Sequence, residues 1–277
     1  MRGVRHRSWS ATSHVGHRGA ASEGPLLTVI VPVYNEAATV DALLTRVHAA
    51  PYDKQVIVVD DGSSDETPRR LATWSARPGV ELVRHATNRG KGAAIRTALA
   101  RAAGRFTIVQ DADLEYDPGD YPHLIEPLLA SEADVVYGSR YLRRGTLRRA
   151  GRLRYRLGLF VLNSAVWWWY GRRLSDEATC YKALATDVLQ RMQLVCERFE
   201  FCPEVTAKAC RLGLSIKEVP IHYDARSVQA GKKIRLRDGL EALRTLWRWR
   251  RWEPTHVAAG VRTSAKTSVF PGPESIR

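Results

Sequence analysis

Between residues 26 and 139 the chain switches repeatedly between two hydrophobic periods. Leu27–Val33 is a continuous apolar run, as expected of a strand buried on both faces. Over Glu36–Ala49 the apolar positions Val40, Leu43, Leu44 and Val47 share one face of a helix. Gln55–Val59 predicts a second buried strand and Asp65–Ala76 a helix. Val80–Val83 predicts a short strand, Gly90–Ala103 an Ala-rich helix and Arg105–Val109 a fourth strand. Pro118–Leu129 predicts a helix with proline near its first turn, and Asp134–Tyr137 a fifth strand. Repeated βα alternation with short connections predicts an α/β fold, a Rossmann-like, doubly wound, mostly parallel sheet.

After Arg140 the pattern changes. Arg152–Tyr170 reads as an amphipathic helix, basic at its start and ending in Trp167-Trp168-Trp169-Tyr170. Thr186–Leu194 and Glu204–Arg211 read as short helices, and Leu214–His222 alternates like a strand. Arg237–Arg251 reads as a basic, Trp-rich amphipathic helix. Residues 1–24 and 254–277 lack periodicity and are expected to be a disordered basic arm and a disordered tail. That leaves an α/β domain over 25–225 and a basic, partly helical segment over 226–253.

Charge narrows the partners. Lys and Arg total 43 against 29 Asp and Glu, a formal +14, so anionic partners are expected. Arg140, Arg143, Arg144, Arg148, Arg149, Arg152, Arg154 and Arg156 run on with no acidic residue between them. Lys232, Lys233, Arg235 and Arg237 form a second run, and Arg244, Arg248, Arg250 and Arg251 a third, interleaved with tryptophans. No nucleic-acid motif accompanies this charge, so nucleic acid is not the expected partner. Basic helices with Trp and Leu faces suit an anionic membrane surface instead. Leu157–Tyr170 contains Asn163 and Ser164 and falls short of the roughly 18 apolar residues of a membrane span. Residues 1–24 hold no apolar stretch that would mark a secretory signal. Cys180, Cys196, Cys202 and Cys210 show no C-x-x-C spacing, and read as small buried hydrophobes in a reducing compartment.

Ligands of open α/β sheets bind outside the carboxyl ends of the strands. Polar residues fall at nearly every such end: Pro32-Val33-Tyr34-Asn35-Glu36, Asp60-Asp61-Gly62, Asn88-Arg89-Gly90-Lys91-Gly92, Asp111-Ala112-Asp113 and Gly138-Ser139-Arg140. Asp111 and Asp113 flank a small residue, and two carboxylates this close call for a nearby cation. Oxygen ligands suit Mg²⁺ or Mn²⁺, which complete their shells with substrate phosphates. Asp60 and Asp61 could bind a base or ribose, or cap the next helix, a task open to Asp65 as well. Asn88–Gly92 could cradle phosphate or simply start a helix. Arg140 could neutralise phosphate or belong to the basic run.

Together these motifs resemble family 2 glycosyltransferases of the GT-A fold, most closely the dolichyl- or polyprenyl-phosphate sugar synthases. The match runs through Val31–Glu36, Val58–Thr67, Asn88–Gly92, Gln110–Glu115 and Gly138–Arg140. It continues through Asp176, Thr179–Lys182, Arg198–Phe201, Glu204, Val219–Ile221 and Gly231–Ile234. The resemblance implies that Pro32, Tyr34 and Glu36 hold the nucleotide, with Asp61 near the base. It implies that Asp111, Ala112 and Asp113 meet the diphosphate, with Asp111, Asp113 and Glu115 ligating Mg²⁺ or Mn²⁺. Arg140 would bind the donor sugar-phosphate or the acceptor phosphate. Arg226 and Lys232 would sit on a mobile loop closing over the phosphates. The implied chemistry is inverting displacement, with Asp113, Arg140 and Asp176 as the catalytic candidates.

The implied donor is a nucleotide-diphosphate hexose, GDP-mannose or UDP-glucose, and the implied acceptor a polyprenyl phosphate. A lipid phosphate is already anionic and needs no strong base. A saccharide hydroxyl, the alternative acceptor in cell-wall or exopolysaccharide synthesis, needs one, with Asp176 or Glu200 as candidates. A non-catalytic basic membrane- or nucleic-acid-binding protein is the remaining alternative. Many of these relatives carry C-terminal transmembrane helices, whereas here the expectation is peripheral attachment at the cytoplasmic face of the membrane. A homo-oligomer or a partner membrane protein stays open.

Overall fold

The structure is a computed structural model that describes residues 24–143, 153–225 and 236–253. Strands β1 (Leu27–Val33), β2 (Lys54–Asp60), β3 (Val80–Arg84) and β4 (Phe106–Val109) lie parallel. They join β5 (Val135–Ser139), β6 (Lys182–Ala185) and β7 (Ile216–Pro220) in one seven-stranded sheet of order β3-β2-β1-β4-β6-β5-β7. Only β6 runs antiparallel to its neighbours in this sheet.

The apolar run of β1 is explained by burial on both faces. Leu27, Val29, Val31 and Val33 point into one core, with Val40, Leu43, Leu44 and Val47 of helix α1 (Val40–Ala49) and Leu124, Ile125 and Leu128 of α4 (Tyr121–Leu129). Ile30 points into the other, with Ala94, Ile95 and Ala98 of α3 (Lys91–Leu99) and Val205 and Ala209 of α7 (Phe201–Arg211). This period of two with both faces apolar makes β1 a wall between two helical layers.

The expected helices over 36–49, 65–76 and 90–103 are shorter than their patterns. α1 starts at Val40, α2 spans Thr67–Ala72 and α3 starts at Lys91. In each case the residues ahead of the helix are used to build the strand-end loops described below. β6 was not expected, because Lys-Ala-Leu-Ala is short and has no strand propensity. It forms because Ala183 and Leu184 are wholly buried between β4 and β5.

A third, small core joins α5 (Leu153–Tyr170), α7 and α8 (Leu236–Trp249) through Leu162, Val166, Ala207 and Leu246. The Tyr170 hydroxyl donates to the Leu246 carbonyl at 2.5 Å and fixes α8 on α5. Lys208 of α7 lies 4.0 Å from the Trp249 ring centre and is paired in the interior with Glu204 at 2.5 Å. The helix expected over Arg237–Arg251 is thus formed as α8 and seated on the protein by one face. Its other face leaves Leu240, Arg244, Trp247 and Arg248 exposed. On α5, Leu157, Phe160, Val161, Trp167 and Trp168 are exposed at helical spacing, while Trp169 packs on the third core. Among the described residues no helix is long and apolar enough to cross a membrane. The expected disordered arm (but for Gly24) and tail, and most of the arginine run after Arg143, lie outside the described residues.

Candidate active site

The ends of β1 and β2 are stitched together before any ligand is considered. The Asp61 amide donates to the Val33 carbonyl at 2.8 Å. Asn35, held at φ +52°, accepts the Ser64 amide on Oδ1 at 2.9 Å and donates its own amide to Ser63 Oγ at 2.9 Å. The Glu36 amide donates to Thr67 Oγ1 at 2.9 Å. Asp61, 2% exposed, is the knot of this wall. Its carboxylate accepts the Arg89 amide at 2.9 Å and the Gly90 amide at 2.8 Å. It also meets His85 Nδ1 at 2.7 Å, while His85 Nε2 meets Thr97 Oγ1 at 2.9 Å. The buried carboxylate therefore links the ends of β2 and β3 to the start of α3, while the Asp61 amide holds the end of β1, and charge-assisted bonds of this kind are the strong ones. Asp60 instead accepts the Ser63 amide and pairs with Arg84 at 3.2 Å.

The Asn88–Gly92 loop is a helix start that packs against protein. A Cβ on Gly90, at φ +94°, would lie 2.4 Å from the Glu197 carbonyl oxygen, and one on Gly92 2.8 Å from Cys196 backbone atoms. The Gly92 and Ala93 amides donate to the carbonyls of Arg198 and Glu197 at 2.8 and 3.0 Å. These glycines thus serve close backbone packing, and the two amides are already used.

Beyond β4, Gln110 is buried and its side-chain carbonyl accepts from Tyr121 and Tyr181 hydroxyls at 2.9 and 2.5 Å. Its amide group donates to the Asp111 carbonyl at 3.0 Å, which aims the acidic turn. Leu114 takes φ +62°, and the Glu115 amide donates to Asp113 Oδ1 at 3.1 Å. Lys91 Nζ lies 2.5 Å from Asp111 Oδ1 and 3.0 Å from Cys180 Sγ. Burial lowers the Lys91 pKa, but the Asp111 charge and hydrogen bond, with help from Cys180 and Cys202, hold the ammonium well above the ordinary range overall. The acidic turn thus already carries a cation of the protein's own. Glu115 accepts the Tyr223 hydroxyl at 2.6 Å. Among the described residues no three His, Cys, Asp or Glu side chains close into a metal cage. The donors that are present are hard oxygens at one turn, which fits a Mg²⁺ or Mn²⁺ ion that takes its remaining ligands from phosphate and water.

Across from the turn, Arg140 at the end of β5 is held in a fork. Its Nε and one terminal nitrogen donate to the two Asp176 oxygens at 2.7 and 2.6 Å, and its amide donates to Asp176 at 3.0 Å. Asp176 is fully buried, and Arg140 keeps 15% of its side chain exposed. Glu218 of β7 accepts the amides of Ser175 and Asp176 and so orients the pair. Burial lowers the Arg140 pKa, but Asp176 raises it well above the usual value overall. The Arg140 guanidinium also lies 5.2 Å from the Tyr223 ring centre.

A cavity of about 1020 Å³ runs across these features. Pro32, Tyr34, Glu36, Asp61, Asp111, Ala112, Asp113, Glu115 and Arg140 all line it. Asp176 lies behind Arg140 instead of on the cavity wall, with both oxygens engaged. Glu200 is also off the wall and accepts the Arg198 amide at 2.7 Å. Arg226 and Lys232 fall outside the described residues. The sequence reading missed Lys91 as the partner of Asp111, and Tyr223 as the residue that touches both Glu115 and Arg140. It also missed Glu177, which lines the inner end with neither oxygen hydrogen-bonded. Burial raises the Glu177 pKa, and the Lys182 charge opposes this. Between α5 and α8 the cavity is lined by Leu159, Leu162 and Ala242 together with Arg237 and Asp238.

The chain is 26% identical over 236 residues to a dolichol-phosphate mannosyltransferase of Pyrococcus furiosus, which covers 82% of this chain and 64% of that protein. It is 30% identical over 215 residues to an undecaprenyl-phosphate 4-deoxy-4-formamido-L-arabinose transferase of an Enterobacter species, covering 74% of this chain and 62% of that one. The chain therefore spans somewhat under two thirds of the length of these two relatives. In fold it is similar to glucosyl-3-phosphoglycerate synthase of Mycobacterium tuberculosis, solved with Mn²⁺ and UDP. The TM-score is 0.58 at 22% identity, over 86% of this chain and 85% of that one. Residues 28–190 match the model of glycosyl transferase family 2, and the chain belongs to that family, a glycosyltransferase of the GT-A fold.

Proposed function

We propose that this protein moves a hexose from a nucleotide-diphosphate sugar, GDP-mannose or UDP-glucose, to a polyprenyl phosphate, with inversion, at the cytoplasmic face of a membrane. One observation carries the choice of acceptor. The cavity joins the forked guanidinium of Arg140 to a stretch between α5 and α8 that Leu159, Leu162 and Ala242 line together with Arg237 and Asp238. A phosphate with a hydrocarbon tail matches both ends. The oxygens of Asp176 are taken by Arg140 and Glu200 stands off the wall, which suits an acceptor that arrives already ionised.

In this reading the donor base and ribose lie along Pro32, Tyr34, Glu36 and the Asp61 knot. Asp111, Asp113 and Glu115 would hold Mg²⁺ or Mn²⁺, which supplies Lewis-acid stabilisation to the departing diphosphate when bound. Lys91 and Arg140 add fixed positive charge where the phosphate oxygens gather, in a site whose dipoles are set before the reaction. Asp176 positions Arg140 and takes no proton itself. Arg226 and Lys232 complete the phosphate clamp. The domain division is the α/β unit over 25–225 with the basic segment over 226–253 attached to it. Exposed Phe160, Trp168, Leu240 and Trp247, with Arg244 and Arg248 beside them, support docking on an anionic bilayer.

The test is product identification. The purified protein is incubated with GDP-mannose or UDP-glucose, a polyprenyl phosphate in detergent, and Mg²⁺ or Mn²⁺. A polyprenyl-phosphate hexose is expected with one donor. Finding no lipid-linked sugar with either donor, while free saccharides are extended, would overturn the acceptor assignment.

A further inference from the structure

Tyr223 stands on the cavity wall between Glu115 and Arg140, on a short stretch of chain after β7 that is pinned residue by residue. Ile221 is wholly buried and donates its amide to the Ser139 carbonyl at 3.3 Å, at the end of β5. The His222 amide donates to Asp120 Oδ2 at 2.6 Å, and its ring Nδ1 meets Asp120 Oδ1 at 2.7 Å. Asp120 is itself buried, so water competes little for this anchor. The Asp224 amide donates to the Glu115 carbonyl at 2.9 Å. With both neighbours held, the Tyr223 side chain leaves the backbone from a fixed point. Its ring packs edge-on against Tyr116, with centres 5.2 Å apart, and its centre lies 5.2 Å from the Arg140 guanidinium. These contacts deliver its hydroxyl to Glu115 Oε2 at 2.6 Å. The proposed reaction uses Glu115 and Arg140 and assigns nothing to the tyrosine between them.

We propose that Tyr223 is a positioning residue whose hydroxyl holds Glu115 in place for a divalent cation. The proposal rests on the reading of Glu115 as a metal ligand. A phenol that donates to a carboxylate at this distance makes a short, charge-assisted bond. It takes one lone pair of Oε2 and leaves the others of the carboxylate for an ion. A glutamate side chain otherwise loses rotamer freedom when it binds, and a group behind it that fixes its orientation removes part of that cost. The point matters here because, among the described residues, the acidic side chains close no cage of their own. An ion shared with phosphate then depends on each carboxylate being held in advance. The ring and the hydroxyl have separable tasks: the ring sits against Tyr116 and Arg140, and the hydroxyl alone reaches Glu115.

That separation sets the test. Tyr223→Phe keeps every ring contact and removes only the donor, and circular dichroism checks that the fold is kept. Mn²⁺ binding to the full chain is measured by electron paramagnetic resonance with saturating UDP or GDP, for wild type, Tyr223→Phe, Glu115→Gln and the double variant. Tyr223→Phe should weaken Mn²⁺ binding about tenfold or more, Glu115→Gln at least as much, and the double variant no further than Glu115→Gln. Donor turnover by Tyr223→Phe should need correspondingly more Mn²⁺ and regain the wild-type kcat at saturating metal, which a general loosening of the site would not allow. Unchanged Mn²⁺ affinity in Tyr223→Phe, losses that multiply in the double variant, or a kcat that excess metal fails to restore overturns the proposal. Wild-type affinity in Glu115→Gln overturns the metal-ligand reading and this proposal with it. The binding measurement needs no acceptor, so its outcome is distinguishable from failure of the proposed transfer to polyprenyl phosphate.

Discussion

Asp176→Asn is the sharpest probe of how Arg140 is used. The substitution keeps the shape of the side chain but removes its charge and turns one acceptor oxygen into a donor. Three bonds to Asp176, at 2.6, 2.7 and 3.0 Å, depend on that charge. Asp176 has no exposed surface and Arg140 little, so solvent cannot compensate. Breaking one side of a buried pair costs about 3–5 kcal/mol. Removing a donor that stabilises developing charge costs about 10²–10³ in rate, or roughly 2.7–4 kcal/mol. The first cost releases Arg140 from its fork, so Asp176→Asn should forfeit most of the rate that Arg140 contributes. Loss of kcat/KM should be about 10²–10³-fold in Arg140→Gln, similar in Asp176→Asn, and no greater in the double variant. The assay is initial-rate transfer to polyprenyl phosphate for the four proteins, each checked for native circular dichroism. If the two losses multiply in the double variant, Asp176 acts independently of Arg140 and the positioning role is wrong.

Asp113→Ala should abolish metal-stimulated donor turnover while leaving the circular dichroism spectrum unchanged; full activity would remove the turn from the reaction. Glu177→Gln should raise Tm near pH 7. The folded-state pKa of Glu177 is raised, so its ionised form weakens the fold as pH rises through that value, and the advantage of Gln should shrink toward about pH 5. An advantage that stays constant with pH would mean that Glu177 does not titrate between those two states. Trp168 exposes 79% of its surface, and half-insertion of an indole is worth about 2 kcal/mol. Trp168→Ala should therefore weaken sedimentation with anionic vesicles about thirtyfold, and equal binding would take α5 off the membrane.

The parallel half of the fold was legible because β1, β2, β4 and β5 carry apolar runs that stand out, with the short β3 placed by the βα alternation around it. β6 was not, since its strand character comes from the slot between β4 and β5 and from nothing in Lys-Ala-Leu-Ala itself. The lining residues from Pro32 to Arg140 were legible as polar positions at strand ends. Their partners were not. Lys91 is 20 residues from Asp111, and Asp176 is 36 from Arg140, so no local spacing joins them. Asn88–Gly92 looked equally suited to phosphate and to a plain helix start, because the need for glycine comes from the Cys196–Arg198 backbone far along the chain. Asp61 read as a ligand for a base, while three of its bonds go to protein.

The ammonium of Lys91 has a consequence for how the protein waits between encounters. Two neighbouring carboxylates ordinarily demand an ion before the surrounding loop can settle. Here Asp111 has a tethered counter-charge supplied from the start of α3. On the proposed reading the chain would reach its final shape in a chelating medium, and a divalent ion leaving with spent nucleotide would not strand the turn. Such an ion would be a passenger of the donor and not a strut of the fold.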